Sequence, residues 1–244
     1  MKNTKSIDST ENSENNDNTE NKIERRSLVK VMGTAAIAGL AVNASTANAQ
    51  NRGEGNRFRP MRHSQDAWLN ELPGIHRAFV DTSSALGGVD GLLYAANIMN
   101  AHNSAYAGSD EDYAMIVCFR HNSTPFAFND AVWEKYGEIF HSVNQHADPL
   151  TGEAPAINVL NSAEHSFFPG LTIDNMAARG VQFAICENAT RFFSGGIARA
   201  TGASADDVFE ELLANAIPNA HFISAGVIAA TRAQEYGYSL LAVG

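Results

Sequence analysis

The segment Tyr-Ala-Met-Ile-Val-Cys-Phe-Arg at residues 113–120 decides how this chain is read. It is apolar at nearly every position instead of at alternate ones, the pattern of a parallel strand covered on both faces. Working outward, residues 76–81 (HRAFVD), 181–186 (VQFAIC), 220–224 and 238–243 also have the length and composition of strands. Helix-length stretches lie between them. Residues 89–102 follow a break at Gly87 and Gly88. A second helix is capped by Asn129 or Asp130, with Val132, Tyr136, Ile139, Phe140 and Val143 recurring at helical spacing. A short one at 172–178 stops at Gly180, and another starts directly after residue 186. Residues 204–215 carry Asp206 and Asp207 in their first turn with Pro218 beyond the end, and 227–236 stops at Gly237. This alternation predicts an α/β chain: a three-layer α/β/α sandwich around a mostly parallel five-stranded sheet. Residues 141–170 break the rhythm with Pro149, Gly152, Pro155, Pro169 and Gly170, and read as an irregular insertion or lid.

Ahead of this alternation stands a different kind of sequence. Arg25 and Arg26 precede Ser27-Leu28-Val29-Lys30, a mildly apolar run over 31–42, and Ala47-Asn48-Ala49. Charge pair, apolar run and small-x-small site occur in the order of a twin-arginine signal peptide, and the run is too short and weakly apolar for a membrane span. Residues 1–49 therefore read as an export signal cut after Ala49, its first 24 positions a polar leader. Residues 50–65, with Arg52, Arg57, Arg59 and Arg62, read as a flexible basic arm, and 66–244 as one folded domain. The expected location is the periplasm or another extracytoplasmic space, with no membrane attachment after cleavage.

The formal charge of the chain is −10, and the first 49 residues hold six basic and six acidic side chains, so the whole excess belongs to the exported part. An acidic surface argues against nucleic acid as a partner. Two cysteines, Cys118 and Cys186, are too few for a disulfide-stapled scaffold; one bridge or two free thiols both remain open.

In an α/β sandwich ligands bind at the carboxyl ends of the strands. That edge should hold Asp81 to Ser84, His121 and Asn122, Cys186 to Asn188, and Ser224 to Gly226. Cys186 stands out because it closes a strand and precedes a helix whose amide N–H groups and dipole favour a thiolate. Arg191 could add positive charge and Glu187 opposes it; inert packing would also account for a cysteine ending an apolar run. His121 offers a base or an anchor on the same edge, with Asn122 and Asn188 as hydrogen-bonding support. Thr82, Ser83 and Ser84 with Gly87 and Gly88 could make an anion nest, or an ordinary hydroxyl-rich turn. His141, His146 and His165 lie near Asp148 and Glu164, but their spacing matches no metal motif, and no metal is expected.

The run Gly180-Val181-Gln182-Phe183-Ala184-Ile185-Cys186, followed by Ala189, Arg191 and Gly195, resembles the central strand and cysteine loop of the DsrE/TusD-like family. The resemblance continues through residues 220–224, the helix end Arg232-Ala233-Gln234-Glu235-Tyr236-Gly237 and the last strand. It implies a small, often oligomeric α/β protein whose cysteine accepts sulfane sulfur as a persulfide and passes it to an acceptor thiol. Carried over residue by residue, only Cys186 takes a catalytic role. The implied partners are a sulfur donor or acceptor protein, a small sulfur compound, and further copies of the chain, with no cofactor beyond the covalent persulfide on Cys186. Two features depart from the family pattern: the insertion is long, and the familiar sulfur relays are cytoplasmic. An exported member would handle thiosulfate or polysulfide, or would keep the fold as a non-catalytic small-ligand-binding or assembly module.

Overall fold

The computed structural model describes residues 59–244, and the export-signal reading lies outside them. In chain order the elements are α1 (Trp68–Glu71), β1 (His76–Thr82), α2 (Ala85–Ala105), β2 (Tyr113–Phe119), α3 (Asp130–Asn144) and α4 (Ile173–Ala178). They continue with β3 (Gln182–Cys186), α5 (Glu187–Thr201), α6 (Ala205–Ala214), β4 (Ala220–Ile223), α7 (Gly226–Glu235) and β5 (Ser239–Val243). All five strands are parallel, in the order β4-β3-β2-β1-β5. Helices cover both faces, giving the three-layer α/β/α sandwich that the alternation of apolar runs predicts.

The side-chain period of two along each strand sorts the core into two unequal halves. Val80, Met115, Val117, Phe119, Phe183 and Ile185 face the larger layer, which is built by α2 to α6. Phe79, Ala114, Ile116, Cys118 and Ala184 face the smaller one, closed by Leu69 of α1, Ala229, Ala230 and Ala233 of α7, and the adjoining Tyr236 and Tyr238. β2 is central and buried at six of its seven positions, which is why its sequence shows no alternation.

Two boundaries differ from the sequence reading, each for a local reason. α2 starts at Ala85, ahead of the glycines, because the Ser84 hydroxyl accepts from the Gly87 amide at 2.8 Å and caps it. After β2 the chain does not loop freely to α3 but forms a 3-10 helix over His121–Ala127, a segment with a proline and no helical periodicity. The insertion is packed down, not loose: the Asn158 amide group donates to the carbonyls of Phe126 and Phe128, both at 2.8 Å, and His165 pairs with Asp148 at 3.1 Å. Part of the basic arm is docked too. Arg62 lies 3.7 Å above the Tyr236 ring and donates to the Glu235 carbonyl. Among the described residues no helix is long and apolar enough to cross a membrane.

Tyr238 closes the smaller half-core, donating its hydroxyl to the Leu69 carbonyl at 2.8 Å. Burial pushes its phenol up to about 12 from an ordinary value of 10.0. The fold therefore holds a proton that the unfolded chain releases, so this contribution to stability is complete below pH 10 and is lost as pH rises toward 12. Denaturant titrations between pH 9 and 12 should show stability falling across that window in the wild type, with a shallower fall in Tyr238→Phe.

Candidate functional site

Three neighbouring strands carry a carboxylate, a guanidinium and a thiol to one edge of the sheet. In register, Asp81 on β1 stands beside Cys118 on β2, and Cys118 beside Ala184 on β3. Arg120 and Cys186 each follow two residues later, so they project from the same face as Asp81 and Cys118, the face that α7 covers. Arg120 reaches back to Asp81: its Nε and Nη2 donate to the two carboxylate oxygens at 2.7 and 2.9 Å. Such a two-pronged contact fixes the plane of the guanidinium.

The edge is then folded tightly around this pair. His121 takes φ +53°, a left-handed conformation costing a non-glycine residue about 1–2 kcal/mol. This turn starts the 3-10 helix, and the Asn122 amide donates to the Ser83 carbonyl at 2.9 Å. Beneath it the Ser123 hydroxyl accepts from the Arg120 amide at 3.0 Å and lies 2.8 Å from the Thr82 hydroxyl. At the start of α7, Gly226 leaves room for Arg120: a β-carbon there would stand 2.5 Å from the Arg120 Cβ.

Cys186 is both the last residue of β3 and the N-cap of α5, and it is 8% exposed. It lies at the floor of a cavity of about 600 Å³. Arg120, His121, Asn122 and Asn188 supply polar wall; Val143, Phe192, Phe193 and Val227 supply most of the apolar wall. Among the described residues no carboxylate lines it, although the chain carries a charge of −10. Two helices start at this cavity, α5 with Cys186 as its N-cap and α7 with Ala225, and neither has a side-chain cap. By contrast α2, α3, α4 and α6 are capped by Ser84, Asn129, Thr172 and Ser204. The amides of an uncapped first turn favour negative charge at the helix start. The arrangement can hold the Cys186 thiol and an anionic reactant together in a partly apolar space.

Of the residues singled out from the sequence, Cys186, His121, Asn122 and Asn188 are brought together here. Arg191 is not in the lining: it binds Glu187 at 2.9 Å and stacks 3.8 Å over Phe209, bridging α5 to α6. Thr82, Ser83 and Ser84 do not line the cavity either. The Thr82 hydroxyl is buried against the Cys118 carbonyl at 2.7 Å, and the Ser84 hydroxyl and amide both meet the Gly244 carbonyl. That carbonyl is so close to α2 that a β-carbon on Gly87 would overlap it. The nest is filled by Gly244, the residue that follows β5. His141 contacts the His146 carbonyl through Nδ1 at 2.7 Å, and among the described residues no group of three or more His, Cys, Asp or Glu could hold a metal ion. Of residues 141–170 only Val143, which belongs to α3, lines the cavity among the described residues.

Sequence reasoning placed Asp81 at this edge but did not pair it with Arg120, to which it gave no role. The available signal was one charged residue closing an otherwise apolar strand, two positions after Cys118 and so on its face. The strand order also decides the cysteine question. Cys186 is one strand over from Cys118 and two residues along, a Cα separation of about 8 Å, outside the roughly 7 Å limit of a disulfide. Both thiols are free.

No model of a known protein family matches this chain, and a search of curated proteins found no match. What fold and site define is a class: a three-layer α/β/α domain with one recessed thiol at the carboxyl edge of its sheet.

Burial, reinforced by the Asp81 carboxylate, pushes the Cys118 thiol well above its ordinary value, whereas Cys186 opens on the cavity. A small alkylating reagent should therefore modify Cys186 in the native protein and Cys118 only after unfolding, as peptide mapping by mass spectrometry would read. Equal labelling of both would contradict this placement.

Proposed function

We propose that this protein is an exported, DsrE-like carrier of sulfane sulfur that works through a persulfide on Cys186. The observation that carries the reading is the setting of the thiol: it sits at the floor of a carboxylate-free cavity, beside a fixed arginine, where two uncapped helices begin. A thiolate is the attacking species in sulfur transfer, and the cavity gives a small reactant access to Cys186. The recess suits a small sulfur compound as donor better than a flat protein surface, and a soluble polysulfide supplies one outside the cytoplasm.

The reaction needs no cofactor. The Cys186 thiolate forms a bond to one sulfur of a polysulfide dianion, the adjoining S–S bond breaks, and its electron pair leaves with a dianion one sulfur shorter. Cys186 becomes a persulfide anion, charge is conserved, and no external oxidant or proton enters. An acceptor thiolate attacking the outer sulfur would return Cys186 to its thiolate.

Brief exposure to polysulfide followed by intact-mass measurement tests the reading. Wild-type protein should gain one sulfur mass that a reductant removes, Cys118→Ser should do the same, and Cys186→Ser should gain none. Absence of any gain in the wild type would make the domain a non-catalytic binder of small ligands in the same cavity.

A further inference from the structure

Among the described residues Arg120 is a fixed cation of the Cys186 cavity, and the sulfur-transfer reading gives it no task of its own. Asp81, Arg120 and Cys186 lie on three neighbouring strands and one face, with Arg120 laterally beside Cys186 at the spacing of adjacent strands, about 4.8 Å between backbones. The Asp81 side chain is 8% exposed and that of Arg120 25%, so the carboxylate sits behind and the guanidinium toward the cavity. Nε and Nη2 are engaged by Asp81, while Nη1 makes no hydrogen bond among the described residues. Glu187, the acid closest to Cys186 in sequence, is held by Arg191 and lines a separate pocket of about 390 Å³. The cavity wall also has apolar surface, with Phe192 60% exposed and Val227 59% exposed.

Resting on the persulfide reading of Cys186, we infer that Arg120, clamped by Asp81, is the specificity-determining residue of the cavity and receives the anionic end of the sulfur donor. The donor class that fits is an unbranched sulfur chain with a charged end: its apolar body lies against Phe192 and Val227 while its terminal charge meets Nη1. As Cys186 attacks, the breaking S–S bond delivers its electron pair to the departing fragment, and Arg120 offsets that charge. Neutral organic trisulfides, which have the sulfur chain without the charge, should be poor donors. Arginine suits this task because its planar fork can bind the carboxylate behind it and still present a donor in front.

Two alkylating reagents of nearly equal size and opposite character test the assignment independently of sulfur transfer: iodoacetate, an anion, and neutral iodoacetamide. The readout is the ratio of their rates at Cys186, followed by peptide mass mapping on natively folded protein. Arg120→Gln should lower the iodoacetate-to-iodoacetamide ratio about tenfold, the effect of losing one charge-assisted hydrogen bond. Arg120→Lys, which keeps the charge, should keep most of the ratio. Gly226→Ala, which leaves both charges in place and displaces Arg120, should lower it. If Arg120→Gln does not fold, Gly226→Ala decides alone. An unchanged ratio in these variants, with polysulfide uptake intact in the wild type, overturns the role of Arg120 and leaves the persulfide standing. A lowered ratio in a protein that takes up no polysulfide supports Arg120 as the anion receptor and removes the sulfur donor.

Discussion

The ion pair between Asp81 and Arg120 is the constraint on which the functional edge of this domain depends. Removing two charges from water is costly, and a partly buried pair is retained only where geometry and further hydrogen bonds compensate. Here both carboxylate oxygens are bound, and the Arg120 backbone amide is held by Ser123. The pair ties the ends of β1 and β2, fixes where the 3-10 helix begins, and sets how close α7 approaches, since Gly226 packs directly on the Arg120 side chain. Four elements thus take their positions at the edge from one contact.

The consequence is a local reversal of the electrostatics of the chain. Acidic residues outnumber basic ones, 27 to 17, yet among the described residues the cavity wall holds an arginine, a histidine and no carboxylate. Asp81 is turned inward to hold the arginine, and Glu187, in the first turn of α5, is held by Arg191. Two helix starts without side-chain caps add their amides to the same space. A thiol placed there shares a cavity with hydrogen-bond donors, an arginine, and aromatic and aliphatic surface, a combination suited to a soft, polarisable reactant that carries charge at its end.

Much of the fold was legible because its signals are local. Continuous apolarity marked β2, helical spacing marked α3, and Asn129, Ser204 and Pro218 marked helix boundaries close to where they fall. Cys186, His121, Asn122 and Asn188 were legible as site residues because any residue following a parallel strand is carried to the same edge. What escaped depended on partners distant in sequence. The Thr82 and Ser84 hydroxyls look available until β2 and β5 are placed against them. Arg191 looks like a neighbour of the thiol until α6 presents Phe209 to it. Arg120 reads as a strand end until the register shows Asp81 on its own face. Residues 121–127 lack helical periodicity because their conformation is imposed by Ser123 and by the insertion through Asn158, not by an amphipathic face.

A double-mutant cycle on the ion pair tests the account most directly. Asp81→Ala, Arg120→Ala and the double variant would be compared with the wild type by chemical denaturation. Each single change leaves a partly buried charge without its partner, so the two losses should exceed that of the double variant by about 1 kcal/mol or more. Losses that add to within about 0.5 kcal/mol would mean that the two side chains act independently, and that the edge is not organised around their contact.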